Sequence, residues 1–254
     1  MSDSTRVPGK EFAGLKAVVT GGAGGIGSAT AKYLATRGAQ IALVDLEFSA
    51  KTDYVEIKCD ITNDADVVAG VEKIASTLGG IDILINNAGI GAAGDVTANG
   101  DDEWMKVLNV NLLGAVRMTR AALPYLRKSA HPAVVNTCSI VAPLGLPNRA
   151  LYSATKGGLE SLTRAMAADY LSEGIRVNAV SPATADTPWV ARLLAAAEDP
   201  AAMSANLIVR QPMKRLISAD EVAHAIAYLA NPLSASTTGT VLPVDAGMHS
   251  LRVN

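Results

Sequence analysis

Apolar positions along this chain fall into two alternating kinds of segment. Short, nearly unbroken apolar runs at 15–20, 40–45, 54–60, 81–89, 133–139, 175–182 and 238–245 read as strands. Longer stretches between most of them carry apolar residues at helical spacing. The first, 26–38, places Ile26, Ala29, Tyr33 and Leu34 on one face and stops at Gly38. The segments 63–80, 101–128, 150–174 and 218–231 read the same way, and Ser218 followed by Glu221 is a capping box. Residues 187–216 read as a helical insert, and residues 1–13 as a loose tail.

Strand and helix in alternation imply parallel strands with right-handed crossovers. Apolar runs without polar alternation imply that both sheet faces are covered. The expected fold is therefore one α/β domain over 14–254. It is a doubly wound, Rossmann-type sheet of seven parallel strands with helices on both faces. One connection is too short for that plan: 14 residues separate Asp45 from Asp60 and must also hold the third strand. A very short helix or a loop is expected there.

Composition narrows the function. The 254 residues are 49% hydrophobic, enough for one substantial core. With 22 basic against 24 acidic side chains and no basic stripe, nucleic acid is not an expected partner. No apolar run approaches the roughly 20 residues of a membrane span, and the polar N-terminus lacks the apolar stretch of a signal peptide. Cys59 and Cys138 suggest no disulfide framework, and His131, His224 and His249 are scattered, so no metal site is expected. The expected location is the cytoplasm.

The stretch TGGAGGIG, Thr20 to Gly27, follows a strand and opens a helix. That context suits a dinucleotide pyrophosphate, which glycines let approach the N–H groups of a helix N-terminus. It satisfies three fingerprints at once, through Gly22, Gly24 and Gly27, through Thr20, Gly21, Gly24 and Gly27, or through Thr20, Gly21, Gly25 and Gly27. Asp45 ends the second strand, where a carboxylate can accept both adenosine ribose hydroxyls and repel a 2′-phosphate. Leu46, Glu47 and Phe48 follow it, with no basic residue, so NAD is favoured over NADP. Asp60 and Ile61 end the third strand and can flank adenine. Asn87, Ala88 and Gly89 end the fourth, at the crevice where such sheets bind ligands.

Tyr152 and Lys156 stand four apart on one helix face. Ser139 ends the fifth strand, and the following loop can bring it alongside them. Tyrosine is a poor base at neutral pH, but a neighbouring ammonium favours its phenolate. The serine hydroxyl can hold a substrate oxygen. The set suits removal of a proton from a secondary alcohol while hydride passes to a nicotinamide.

With TGGAGGIG, NNAG (86–89), Asn111 in NVNLLG, Ser139, YSATK (152–156) and SPATADTP (181–188) in order, the chain resembles the single-domain short-chain dehydrogenase/reductases nearly end to end. The resemblance implies that Tyr152 is the acid/base, that Lys156 holds the nicotinamide ribose, that Ser139 orients substrate and that Asn111 helps anchor a proton-relay water. It assigns the cofactor to Gly21, Gly25, Ile26, Asp45, Leu46, Asp60, Ile61, Asn87, Ala88, Gly89, Tyr152, Lys156, Pro182, Ala183, Ala185 and Thr187. It also selects the third glycine register, with Gly21 at the turn, Gly27 inside the helix, and Gly22 and Gly24 as bystanders. Pro182-Ala183 stands where the family has Pro-Gly, and Asp245-Ala246-Gly247 where it has Asp-Gly-Gly.

The substrate residues expected are Ser139, Arg149, Tyr152, Trp189 and Arg210. Arginine grips carboxylates bidentately, and NRALYSATK and RQPMKRL resemble a branch acting on hydroxy acids, sugars and sugar acids. A solvated role, or pairing with acids such as Asp186, is the competing reading for Arg149, Arg192 and Arg210. Trp189 either packs on substrate or folds the insert. A reductase of a bulkier ketone, of steroid or acyl-thioester type, would need those arginines turned outward, and a non-catalytic dinucleotide sensor would not need Tyr152 or Lys156. Ala121, Ala122, Ala154, Gly157 and Gly158 lie on helices that pair across a two-fold axis in the family, so a homo-oligomer, dimer or tetramer, is expected.

Overall fold

The computed structural model describes residues 9–195 and 197–252. Seven strands form one sheet: β1 (Lys16–Thr20), β2 (Gln40–Asp45), β3 (Val55–Lys58), β4 (Ile83–Asn86), β5 (Ala133–Thr137), β6 (Arg176–Pro182) and, last in the chain, β9 (Val241–Val244). Their order is β3-β2-β1-β4-β5-β6-β9, with every pair parallel. The chain starts at the centre, works outward to β3, then returns to β4 beside β1. The carboxyl ends of β1 and β4 thus part to opposite sides, which opens a crevice.

Both faces are apolar because successive side chains point to opposite sides. Ala17 and Val19 of β1, with Ile83 and Ile85 of β4, face α1 (Gly25–Thr36) and α8 (Ala219–Ala230) through Leu34, Val222 and Ile226. Val18 and Leu84 face the opposite layer, where α2 (Asp64–Leu78) and α4 (Gly114–Leu126) supply Val71, Ile74, Met118 and Leu126. Helix α5 (Ala150–Asp169) completes that layer with Met166 and Ala167.

Four features refine or correct the sequence reading. The stretch 101–128 is not one α-helix: α3 (Asp101–Leu108) passes through a π-turn, Asn109–Leu113, before α4. The insert holds two helices, α6 (Pro188–Ala195) and α7 (Pro200–Val209). Its ends are tied by a two-residue parallel pair, β7 (Ala185–Asp186) with β8 (Ile217–Ser218). Phe12, read as tail, is 1% exposed and packs into the core beneath α1. Ala122 is also buried inside the chain, so it is not available to a partner surface. The short connection between β2 and β3 is a loop, as its length requires. Among the described residues, no helix is long and apolar enough to cross a membrane.

The start of α8 carries the capping box. Glu221 N–H donates to Ser218 Oγ (3.0 Å), and Ser218 N–H donates to Glu221 Oε2 (2.8 Å). Arg215 adds two charge-assisted bonds to the same carboxylate, at 2.8 and 2.7 Å. The Arg215 hydrogen bond and then the Ser218 backbone bond hold Glu221 down to about 2, from an ordinary value of 4.5. A carboxylate that ionises more readily folded than unfolded adds stability above its unfolded value and loses it on acidification. The melting temperature of Glu221→Gln therefore lies below wild type by a constant gap above pH 4.5, and the gap closes as pH falls to about 2. A gap that persists at the acid end would show that charge is not its source.

Candidate active site

The glycine loop leaves β1 and enters α1. Gly21 and Gly25 have φ of 64° and 55°, left-handed values that glycine adopts without steric cost. A Cβ on Gly27 would collide with the Gly21 carbonyl oxygen, so the first turn of α1 lies directly against the loop. Gly24 has extended backbone, and a Cβ there would meet nothing within 4 Å, which makes it the one true bystander of the loop. Gly22 is not: its Cβ would meet Leu43 Cδ2 at 2.9 Å and the Val19 carbonyl oxygen at 3.0 Å. Glycine is needed there for packing onto β2.

Asp45 closes over this loop. Its Oδ2 accepts from Ala23 N–H (3.0 Å) and its Oδ1 from Leu46 N–H (2.8 Å). Each oxygen keeps capacity for a further donor. Across the crevice, Thr20 Oγ1 accepts from Asn87 N–H and Ala88 N–H, both at 3.0 Å. The Asn87 amide donates to the carbonyls of Thr20 (3.1 Å) and Gly21 (3.2 Å). Asp60 Oδ1 is taken by Thr62, from N–H and Oγ1, and Ile61 rests on Gly114. Thr187, at the head of the insert, reaches Gly25. Ala183 has no positive φ, so alanine in place of glycine costs no backbone strain there.

Ser139 leaves the end of β5, and Tyr152 and Lys156 rise from the first turns of α5. Lys156 is 3% exposed. Its Nζ donates to the Thr137 carbonyl (2.8 Å) and lies 5.8 Å from the centre of the Tyr152 ring. No carboxylate pairs with it among the described residues. Asn111, on the π-turn, is locked into protein contacts: Oδ1 accepts from Ile90 N–H (2.8 Å), and Nδ2 donates to Ile90 O (2.9 Å) and Thr155 Oγ1 (3.1 Å). Both amide hydrogens are spent, so holding a water would fall to its remaining acceptor capacity.

One cavity of about 760 Å³ brings these groups together. Every cofactor and substrate residue expected from sequence lines it; Asn111 alone of the site residues stands behind its wall. Trp189 stands at the cavity wall. Its ring lies over Gly91, where a Cβ would meet it at 2.6 Å, and it lines the cavity. Sequence reasoning missed Thr155 and Thr137, which hold Asn111 and Lys156. Thr155 lies one helical turn beyond Tyr152, and that spacing could have flagged it. Burial disfavours a thiolate at either cysteine, pushing the Cys138 thiol up to about 12 and the Cys59 thiol up to about 11.

A glycine turn at a helix N-terminus, an acid at the end of β2 and a Ser/Tyr/Lys cluster in one crevice define a dinucleotide-dependent oxidoreductase. Comparison with known proteins agrees. A family model described as enoyl-(acyl carrier protein) reductase matches residues 21–249. A cis-4-hydroxycyclohexanecarboxylate dehydrogenase of Sinomonas cyclohexanicum is 38% identical, with 94% of this chain and 98% of that protein covered. A 3-oxoacyl-[acyl-carrier-protein] reductase of Escherichia coli is 33% identical over 94% and 98%. The ligand-free structure of Thermoplasma acidophilum aldohexose dehydrogenase superposes with a TM-score of 0.91 at 31% identity, covering 96% of this chain and 99% of that one. The chain belongs to the short-chain dehydrogenase/reductase family, oxidoreductases that use a nicotinamide dinucleotide and act on alcohol and carbonyl groups.

The loop geometry sets an order of sensitivity. Gly27→Ala and Gly22→Ala cost about 1–3 kcal/mol or more through overpacking, Gly27 the more because its Cβ would stand much closer to the Gly21 carbonyl oxygen than a Cβ on Gly22 would to any atom. Gly24→Ala costs less than about 1 kcal/mol, a helix N-cap effect. Denaturant midpoints of the three variants check the order, and an intolerant Gly24 would refute it.

Proposed function

We propose that this protein transfers hydride between NAD and the CH–OH carbon of a small secondary alcohol, with Tyr152 as general acid/base. The observation that carries the reading is the Lys156 ammonium, buried beside Tyr152 with a single backbone carbonyl as its protein partner. Two of its three donors remain for a ligand. Tyr152 takes the hydroxyl proton of the alcohol as the general base. Ser139 donates to the same oxygen and fixes its position. The bound cofactor supplies the hydride acceptor. Lys156 holds its ribose, Asp45 its adenosine hydroxyls, and Gly21, Gly25 and Ile26 its pyrophosphate.

NAD is preferred because Asp45 closes over the glycine loop, and among the described residues no arginine or lysine lines the adenosine end of the cavity to receive a 2′-phosphate. The substrate is small and polar: a hydroxy acid, a sugar or a sugar acid. The hydroxy-acid relative and the aldohexose structure lend weight to that range. A bulkier ketone is disfavoured, since Arg149, Arg192 and Arg210 all line the cavity. We read the working form as a cytoplasmic homo-oligomer.

Two measurements test this. Tyr152→Phe lowers kcat by about 10²–10⁴-fold, the usual worth of a general base, while NAD affinity stays within about twofold because the phenol is not its main anchor. Full activity of that variant sinks the mechanism. Asp45→Asn narrows the NAD over NADP ratio of kcat/KM about tenfold or more, the worth of a charged hydrogen bond; an unchanged ratio removes Asp45 from the choice.

A further inference from the structure

The substrate end of the cavity carries positive charge that the protein does not neutralise. Arg149 opens α5 and is half-buried. Its NH1 donates to the carbonyls of Ala92 (3.4 Å) and Asn148 (3.3 Å), which fixes the stem. Its other two guanidinium nitrogens remain available to a ligand. Arg210 ends α7 and enters the same cavity from the insert. Among the described residues neither has a carboxylate within 4.0 Å, and Asp186 takes part in no ion pair. Asp95, next to the Gly94 that bridges to Arg149, accepts at Oδ1 from Thr97 N–H (2.9 Å) and Thr97 Oγ1 (2.7 Å).

Burial, and then the nearby Arg210 charge, lower the pKa of Arg149, while Tyr152 opposes them. Two like charges brought together, one of them partly desolvated, cost free energy unless an anion joins them. Such arrangements concentrate at functional sites.

Apart from Arg192, a third cation, and the hydroxyls of Thr184 and Thr187, the walls beside the insert are largely hydrocarbon. Leu146, Trp189, Leu193, Leu207 and Met248 form them. The only Asp and Asn side chains lining the cavity, Asp45, Asp60 and Asn87, sit at the cofactor end, and no Glu, Gln or His lines it at all among the described residues. A polyol needs several such acceptors and donors to replace its hydration, and an unpaired hydroxyl buried on these walls is penalised.

We propose that Arg149 and Arg210 together bind a terminal oxyanion, a carboxylate or sulfonate, on an alcohol whose body is hydrocarbon. The inference rests on the reading that the alcohol meets Tyr152, and it narrows that reading: hydroxy acids with an alkyl or alicyclic body are substrates, and sugars and sugar acids are not. The charged end lies toward the insert and the reacting hydroxyl toward Ser139, so the anion orients the molecule.

The test is binding to the full chain saturated with NAD, read by calorimetry with probes that cannot react. Cyclohexanecarboxylate, cyclohexanesulfonate, cyclohexanecarboxamide and gluconate separate anion from body. One or both cyclohexane anions bind about tenfold or more tighter than the carboxamide, the usual scale of a charged hydrogen bond, and tighter than gluconate by a similar factor. Arg210→Met, at an exposed position that leaves the core intact, removes that advantage and leaves carboxamide binding within about twofold. Arg149→Met does the same, and rising salt weakens only the anions. Carboxamide binding equal to the anions, or gluconate binding better, overturns the proposal. So does an Arg210→Met variant that keeps the full preference. Because the readout is binding, these outcomes are independent of whether Tyr152→Phe retains turnover.

Discussion

The hydroxyl of Thr20 holds the crevice in shape. β1 and β4 pair side by side, yet their chains must part at the carboxyl ends if a ligand is to enter between them. Parting ends the ladder and leaves the N–H groups of Asn87 and Ala88 without strand partners. Thr20 Oγ1 takes both, and the Asn87 amide returns two bonds to the carbonyls of Thr20 and Gly21. Each buried N–H left unpaired would cost about 1–3 kcal/mol. With the turn fixed from both sides, the Gly21 carbonyl can stand where α1 passes against it, and only glycine at 27 permits that approach.

A second theme is charge left without a protein counterion. Lys156 is buried with one carbonyl for company, and Arg149 is half-buried near another arginine. Elsewhere the same chain neutralises its charges readily: Arg127 pairs with Glu173, Arg164 with Glu160 and Arg215 with Glu221. Those pairs are exposed and individually weak contributors. Arg176 is the exception away from the crevice, and there four backbone carbonyls, of Leu229, Ala230, Asn231 and Thr237, take up its guanidinium.

Most of the architecture was legible from sequence because it follows from periodicity. A strand covered on both faces leaves an unbroken apolar run, and seven such runs became the seven strands of the sheet. The loop between β2 and β3 followed from counting residues. The π-turn was hidden because Asn109–Leu113 suits α and π geometry alike; its cause is tertiary, the bonds from Asn111 to Ile90 and Thr155. The pairing of β7 with β8 is too short to leave a pattern. Gly22 misled because a glycine's reason can lie in a distant side chain, here Leu43. Among site residues, those on strand ends and one helix face could be placed from the fold, whereas which charges lack partners could not, since pairing depends on side-chain paths.

The π-turn has a consequence for how the helix that contains it is used. One extra residue in a turn advances the azimuth of everything after it by about 100°. Residues ahead of the turn and behind it therefore address different neighbours. Val107, before it, packs with Leu151 at the root of α5, while Met118, Ala122 and Leu126, after it, lie on the sheet and α2. A single polypeptide rod acts as two, keyed at Asn111, and the key is the residue whose amide grips the wall of the crevice. Insertions or deletions between Leu108 and Gly114 would thus change phase rather than length, and would unseat the β4 exit while leaving each half-helix individually sound.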